Sequence, residues 1–137
     1  MIIDATNLLL GRIGTKDAKA ALNGEKVDII NSGKALISGD KKKIMAEYER
    51  KREMGIPSKG PYYHRRPEML LKRSIRNMLP LRKTRGQEAL KRIKCHRGTP
   101  ESLKGKTADM EGADKEKLPV AKYISIEEIC KKLGAKI

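Results

Sequence analysis

Residues 2–38, IIDATNLLLGRIGTKDAKAALNGEKVDIINSGKALIS, carry the reading from which the rest of the fold follows. Ile2-Ile3-Asp4-Ala5 reads as a short strand that runs into a turn near Thr6 and Asn7. From about Leu10, the residues Leu10, Ile13, Ala18, Ala21 and Leu22 recur at helical spacing, and Asn23-Gly24 supplies the stop. Val27 to Asn31 is a second strand and Ala35 to Ser38 a third, joined through Ser32-Gly33. Short apolar strands alternating with amphipathic helices predict an α/β class, with a mostly parallel sheet covered by helices on both faces.

Working outward, Asp40 is placed to cap a helix from about Lys41 to Glu53, with Ile44, Met45 and Tyr48 on its inner side. Gly55 to Pro61 holds two glycines and two prolines and reads as an irregular loop. Pro67 opens a helix to about Leu79, stopped by Pro80. At roughly 100° per residue, Leu71, Ile75, Met78 and Leu79 fall on one side of that helix and Lys72, Arg73 and Arg76 on the other. Gln87 to Lys91 is a further short helix and Ile93 to His96 the fourth strand. Residues 98–122 are poor in apolar groups and read as an extended excursion. Ser125 then caps a last helix with Ile126, Ile129, Cys130 and Leu133 on its apolar face, ended by Gly134. The division expected is a core over 1–97 that includes a basic segment at 41–97, with 98–137 as a linker and C-terminal helix of the same domain.

Charge narrows the function. Residues 41–97 carry 19 of the 32 Lys and Arg but 5 of the 17 acids, a local net of +14 out of +15. The flanks are nearly balanced, so the excess is a patch, and a patch of this sign calls for a polyanionic partner. The cations between Lys59 and Arg97 are mostly Arg, scarcely offset by acids, and interleaved with Gly and Pro. Arginine grips phosphate oxygens in a bidentate fork, and glycine lets backbone approach closely. There is no Phe or Trp, and Tyr62 and Tyr63 are the only tyrosines close together. Base-stacking readout of single strands is therefore not expected; recognition of phosphate geometry in folded RNA or duplex is. The run Lys41-Lys42-Lys43 reads equally as a solvated helix face, and His64 equally as a sugar or phosphate contact and as a structural residue.

Other chemistries find little support. Gly33-Lys34 resembles the end of a phosphate loop, but Asp28 and Ala35 stand where that motif needs Gly and Ser or Thr. Gly11-Arg12-Ile13-Gly14 lies at a strand-to-helix junction without the full dinucleotide pattern, and its glycines are read as permitting close helix-on-strand packing. Asp4, Asp28 and Asp40 are read as turn and cap residues rather than clustered metal ligands. Cys95 and Cys130 lack metal-ligand spacing and are expected to be reduced thiols, so no metal, cofactor or small-molecule substrate is expected. The opening Met-Ile-Ile-Asp shows no leader pattern, and the longest apolar runs, such as Leu8 to Leu10, are too short to span a bilayer. A soluble, intracellular protein with no membrane partner is expected.

Three stretches carry a resemblance. The start from Ile2 to Lys43, KGPYYHRRPEMLLKRSIRNMLP from Lys59 to Pro80, and RGQEALKRIKCHRGTP from Arg85 to Pro100 resemble, in order, the universal large-subunit ribosomal protein thirteen family. The ending YISIEEICKKLG is similar to its archaeal and eukaryotic-type branch. The resemblance implies a three-layer α/β/α domain around a small, mainly parallel four-stranded sheet, with a basic loop and C-terminal extension. It implies a non-enzymatic, cytoplasmic constituent of the ribosome that clamps large-subunit rRNA early in assembly, beside neighbouring large-subunit proteins. Carried over residue by residue, the implied RNA contacts are Lys59, Gly60, His64, Arg65, Arg66, Lys72, Arg73 and Arg76, followed by Arg82, Lys83, Arg85, Arg92 and Lys94. Two other classes remain open: a nucleotide-binding enzyme, for which no complete phosphate loop or acid–base cluster is present, and a free-standing RNA-binding regulator using the same patch.

Overall fold

A computed structural model describes residues 1–105, 107 and 122–136. Strand β1 (Ile2–Asp4) leads through a turn to helix α1 (Leu10–Leu22), and β2 (Val27–Ile30) follows. A 3-10 turn at Ser32–Lys34 precedes β3 (Leu36–Ser38) and α2 (Lys41–Glu53). Helices α3 (Pro67–Asn77) and α4 (Thr84–Arg92) lead into β4 (Ile93–Cys95), and β5 (Tyr123–Ser125) runs directly into α5 (Ile126–Lys132). Most of the anticipated excursion at 98–122 lies outside the described residues. Among the described residues, five helices and a small, mostly parallel sheet form a three-layer α/β/α fold.

The local signals act as the sequence suggests. Asp40 Oδ1 accepts from the Lys42 amide at 3.0 Å and caps α2, while Ser125 Oγ accepts from the Glu128 amide at 3.3 Å and caps α5. Pro67 sits in the first turn of α3, where its missing N–H costs nothing. Asp4 Oδ1 accepts from the amide and hydroxyl of Thr6 and from Asn31 Nδ2, fixing the turn after β1.

Among the described residues the four-stranded sheet is corrected to three strands in the order β1-β2-β4, all parallel, with Ile3 beside Ile29 and Ile29 beside Cys95. Five residues separate β2 from β3, whereas a parallel neighbour needs a crossover of about a dozen. Asn31 adopts a left-handed φ of 54°, the 3-10 turn follows, and the chain leaves the sheet. Leu36–Ser38 pairs instead, antiparallel, with Tyr123–Ser125, a strand that sequence reading does not anticipate.

Strand alternation puts Ile3, Val27, Ile29 and Ile93 on one sheet face, all fully buried. They join Ile13 of α1, Leu71 and Ile75 of α3, and Ile126 and Ile129 of α5 in a wholly aliphatic core. Leu70 is buried as well, so the apolar stripe of α3 is wider than the four residues expected. Met78 is 42% exposed, its thioether lying over Gly14, where an added Cβ would be 2.9 Å from the sulfur. Gly14 thus permits close approach by the end of α3 rather than by a strand, and Gly11 faces open space.

Candidate nucleic-acid interface

The basic segment is built on a tight loop and one helix. After α2 the chain closes on itself: the Gly60 amide donates to Ile56 O at 2.8 Å, and the Ile56 amide donates back to Gly60 O at 3.2 Å. Gly55 turns the chain into this closure with φ +90°, and a Cβ there would stand 1.9 Å from Gly60 O, so no side chain fits. The Tyr62 hydroxyl shares its one proton between Ser58 O at 2.9 Å and Pro57 O at 3.2 Å, which pins the ring while leaving Tyr62 68% exposed.

Tyr63 points the other way. Its ring meets Tyr48 edge to face, with centroids 6.1 Å apart, and the Arg73 guanidinium lies 4.3 Å from its centre. Burial, chiefly, pushes the Tyr48 hydroxyl up to about 12, so it stays a neutral wall of the helix junction. Two adjacent tyrosines therefore serve different ends, one anchoring the loop to the helices and one standing outside.

Helix α3 then supplies the cations. His64, Lys72, Arg73 and Arg76 converge with Tyr62, Met69 and Leu90 on a cleft of about 320 Å³ that no acid lines. Lys72 spends one donor on Ile93 O at 2.8 Å, and an ammonium has two more. Arg65 and Arg66 are exposed at the start of α3, beside a second cleft of about 430 Å³ shared with Glu68, Arg97 and Lys136. Arg97, Lys136 and Tyr62 were not among the expected contacts. A signal was available for Arg97, which ends the basic segment begun at Lys59, and for Tyr62, an aromatic between a Gly-Pro turn and three basic residues.

The remaining candidates are dispersed. Lys59 and Gly60 belong to the loop closure, Gly60 with φ +79°, and Arg82 and Lys83 are exposed ahead of α4. Lys94 is exposed on the sheet face opposite the core, in register with Asp28. Arg85 Nη2 and Arg92 Nη1 reach the last carbonyls of α1, Leu22 O at 3.5 Å and Ala21 O at 3.3 Å, a favourable place for positive charge. Among the described residues Arg92 is the one candidate in an ion pair, with Glu88 at 3.5 Å. In the open case of 41–43, Lys41 pairs with Glu128 of α5 at 2.6 Å, while Lys42 and Lys43 are exposed.

The groups suggestive of other chemistry are occupied separately. Asp28 Oδ1 lies 3.0 Å from His96 Nε2, Asp4 holds its turn and Asp40 its cap. Cys95 and His96 project to opposite sides of β4, and burial pushes the thiols of Cys95 and Cys130 up to about 12, which keeps them protonated and unreactive. Among the described residues no group of His, Cys, Asp and Glu is arranged to hold a metal ion, and no helix is long and apolar enough to cross a membrane.

Comparison with known proteins gives a consistent picture. The family model described as "Ribosomal protein L13" matches residues 1–102. The chain is similar to the large ribosomal subunit protein uL13 of Methanococcoides burtonii, 40% identical over 136 residues and covering 98% of each chain. It is 42% identical to that of Methanosarcina barkeri, again over 98% of each, and 43% identical to that of Thermoplasma volcanium over 97% of each.

Proposed function

The chain belongs to the ribosomal protein L13 family, in its archaeal type, and on that premise we propose that its basic segment clamps large-subunit rRNA during early subunit assembly. The coarser role comes with the family: a structural, non-enzymatic component of the large ribosomal subunit, in the cytoplasm, associated with that subunit's rRNA and proteins.

One observation carries the finer reading. His64, Lys72, Arg73 and Arg76 face a common cleft with no acid in its lining, and Arg65 and Arg66 stand exposed beside them. An aliphatic core asks for no such charge, and among the described residues none of Lys72, Arg73, Arg76, Arg65 and Arg66 is in an ion pair. Phosphates of converging RNA segments are the counter-charges they suit. Each cation displaces condensed counterions and holds together backbones that otherwise repel. Lys59, Gly60, Arg82, Lys83 and Lys94 extend the contact as outlying phosphate ligands, with Gly60 offering backbone. Arg85 and Arg92 contribute less, since their guanidinium groups already serve α1.

If roughly six to ten phosphates are neutralised, affinity of the full chain for isolated large-subunit rRNA falls about 10³- to 10⁵-fold between 50 and 200 mM salt. A flat salt response rejects the clamp. Sedimentation of large subunits through a high-salt gradient separates an integral component, which stays with the particle, from a regulator using the same patch, which washes away.

A further inference from the structure

We infer that the cleft between Tyr62 and Leu90 is a subsite for one unpaired nucleotide of the bound RNA. This deepens the clamp reading and rests on it. A site for backbone alone needs cations and no more, yet this cleft places an exposed aromatic ring and the apolar side chains of Met69 and Leu90 beside Arg73 and Arg76. The Tyr62 ring is held by its shared hydroxyl bond to the loop, so it is already oriented before anything binds. Arg73 is fixed in turn by its stack on Tyr63. The Tyr62 ring, the Met69 thioether and the Leu90 side chain suit the flat face of a base, and the guanidinium groups of Arg73 and Arg76 suit its phosphate. A volume of about 320 Å³ lies at the small end of ligand sites, which fits one nucleotide rather than a run of them. A paired base offers no free face, so the occupant is a looped-out or bulged residue.

The test uses the full chain and two RNA duplexes identical except for a single bulged 2-aminopurine. The bulged duplex is expected to bind about tenfold more tightly, with quenching of the fluorophore on binding. Tyr62→Leu is expected to remove both the preference and the quenching while affinity for the paired duplex is unchanged, and Tyr62→Phe to keep them. Equal, salt-sensitive binding of both duplexes by the unaltered protein overturns the subsite and leaves the clamp standing. Salt-insensitive binding, or none, overturns both. A preference and quenching that survive in Tyr62→Leu overturn the stacking role.

Discussion

Arg85 and Arg92 belong to the same basic stretch as Arg65, Arg66 and Arg76, but the fold treats the two sets differently. The first pair lies over the C-terminal end of α1, where the last turn leaves carbonyls without helical partners, and both guanidinium groups donate to them. The second set has no such internal acceptor recorded among the described residues; it surrounds the start and one side of α3 and lines two clefts. Composition cannot separate the sets, because the difference lies in which backbone groups a neighbouring element happens to leave over. The lesson is that a basic segment mixes cations that complete the fold with cations that the fold leaves exposed.

The sharpest way to break this contrast is to remove the second set. Replacing Arg65, Arg66 and Arg76 together by Gln is expected to weaken rRNA binding on the order of 10²- to 10³-fold near 0.1 M salt, and to lower the salt slope by about 2.7. Thermal unfolding, followed by circular dichroism, is expected to stay within about 2 °C of the parent. A collapse in melting temperature would place these arginines with the structural pair.

A buried acid tests the fold's side of the contrast. Asp17 of α1 is 0% exposed, and neither carboxyl oxygen has a hydrogen-bond partner among the described residues. Burial pushes its pKa from 3.8 up to about 7. The folded chain therefore keeps this proton to about pH 7 while the unfolded chain releases it near 3.8, so this contribution to stability is full below about pH 4 and is lost as pH rises to about 7. Asp17→Asn is expected to change little at pH 4 and to stabilise by roughly 2–4 kcal/mol at pH 8, measured by urea unfolding, with RNA affinity unaltered.

Gly86 lets the first turn of α4 pack against the Pro80-Leu81 backbone that precedes it. A Cβ at this position would lie 2.2 Å from Pro80 O, a backbone atom that cannot swing aside. Gly86→Ala is expected to cost about 1–3 kcal/mol of stability by forcing α4 away from that contact. The smallest effect belongs to Arg92→Gln: about 0.5–1 kcal/mol lost in unfolding, and a salt slope for rRNA binding that falls by less than about 0.9.

Where the signals were local, the sequence was legible. The spacing of Ile13, Ala18 and Ala21, the Asp40 and Ser125 caps and the Pro67 start each depend on a few neighbouring residues, and each stands as read. What escaped was tertiary. Leu36–Ser38 finds its partner at Tyr123–Ser125, far along the chain, in a segment whose last residue is also the cap of α5. Asp17, between Lys16 and Ala18, reads as part of a polar helix face until packing covers it. The opposed roles of Tyr62 and Tyr63 follow from the turn that precedes them, and no composition argument distinguishes them. In the interface, convergence of the α3 cations was visible from helical spacing, whereas the diversion of Arg85 and Arg92 depended on carbonyls 63 and 71 residues away.

Protein–RNA crosslinking in the intact large subunit, with attached nucleotides mapped to single residues, tests the division of the basic segment most directly. The expected result is attachment concentrated at Tyr62, His64, Arg65, Arg66 and Arg76, with much less at Arg85 and Arg92. Attachment concentrated at Arg85 and Arg92, with the cleft and the start of α3 unmodified, would contradict it.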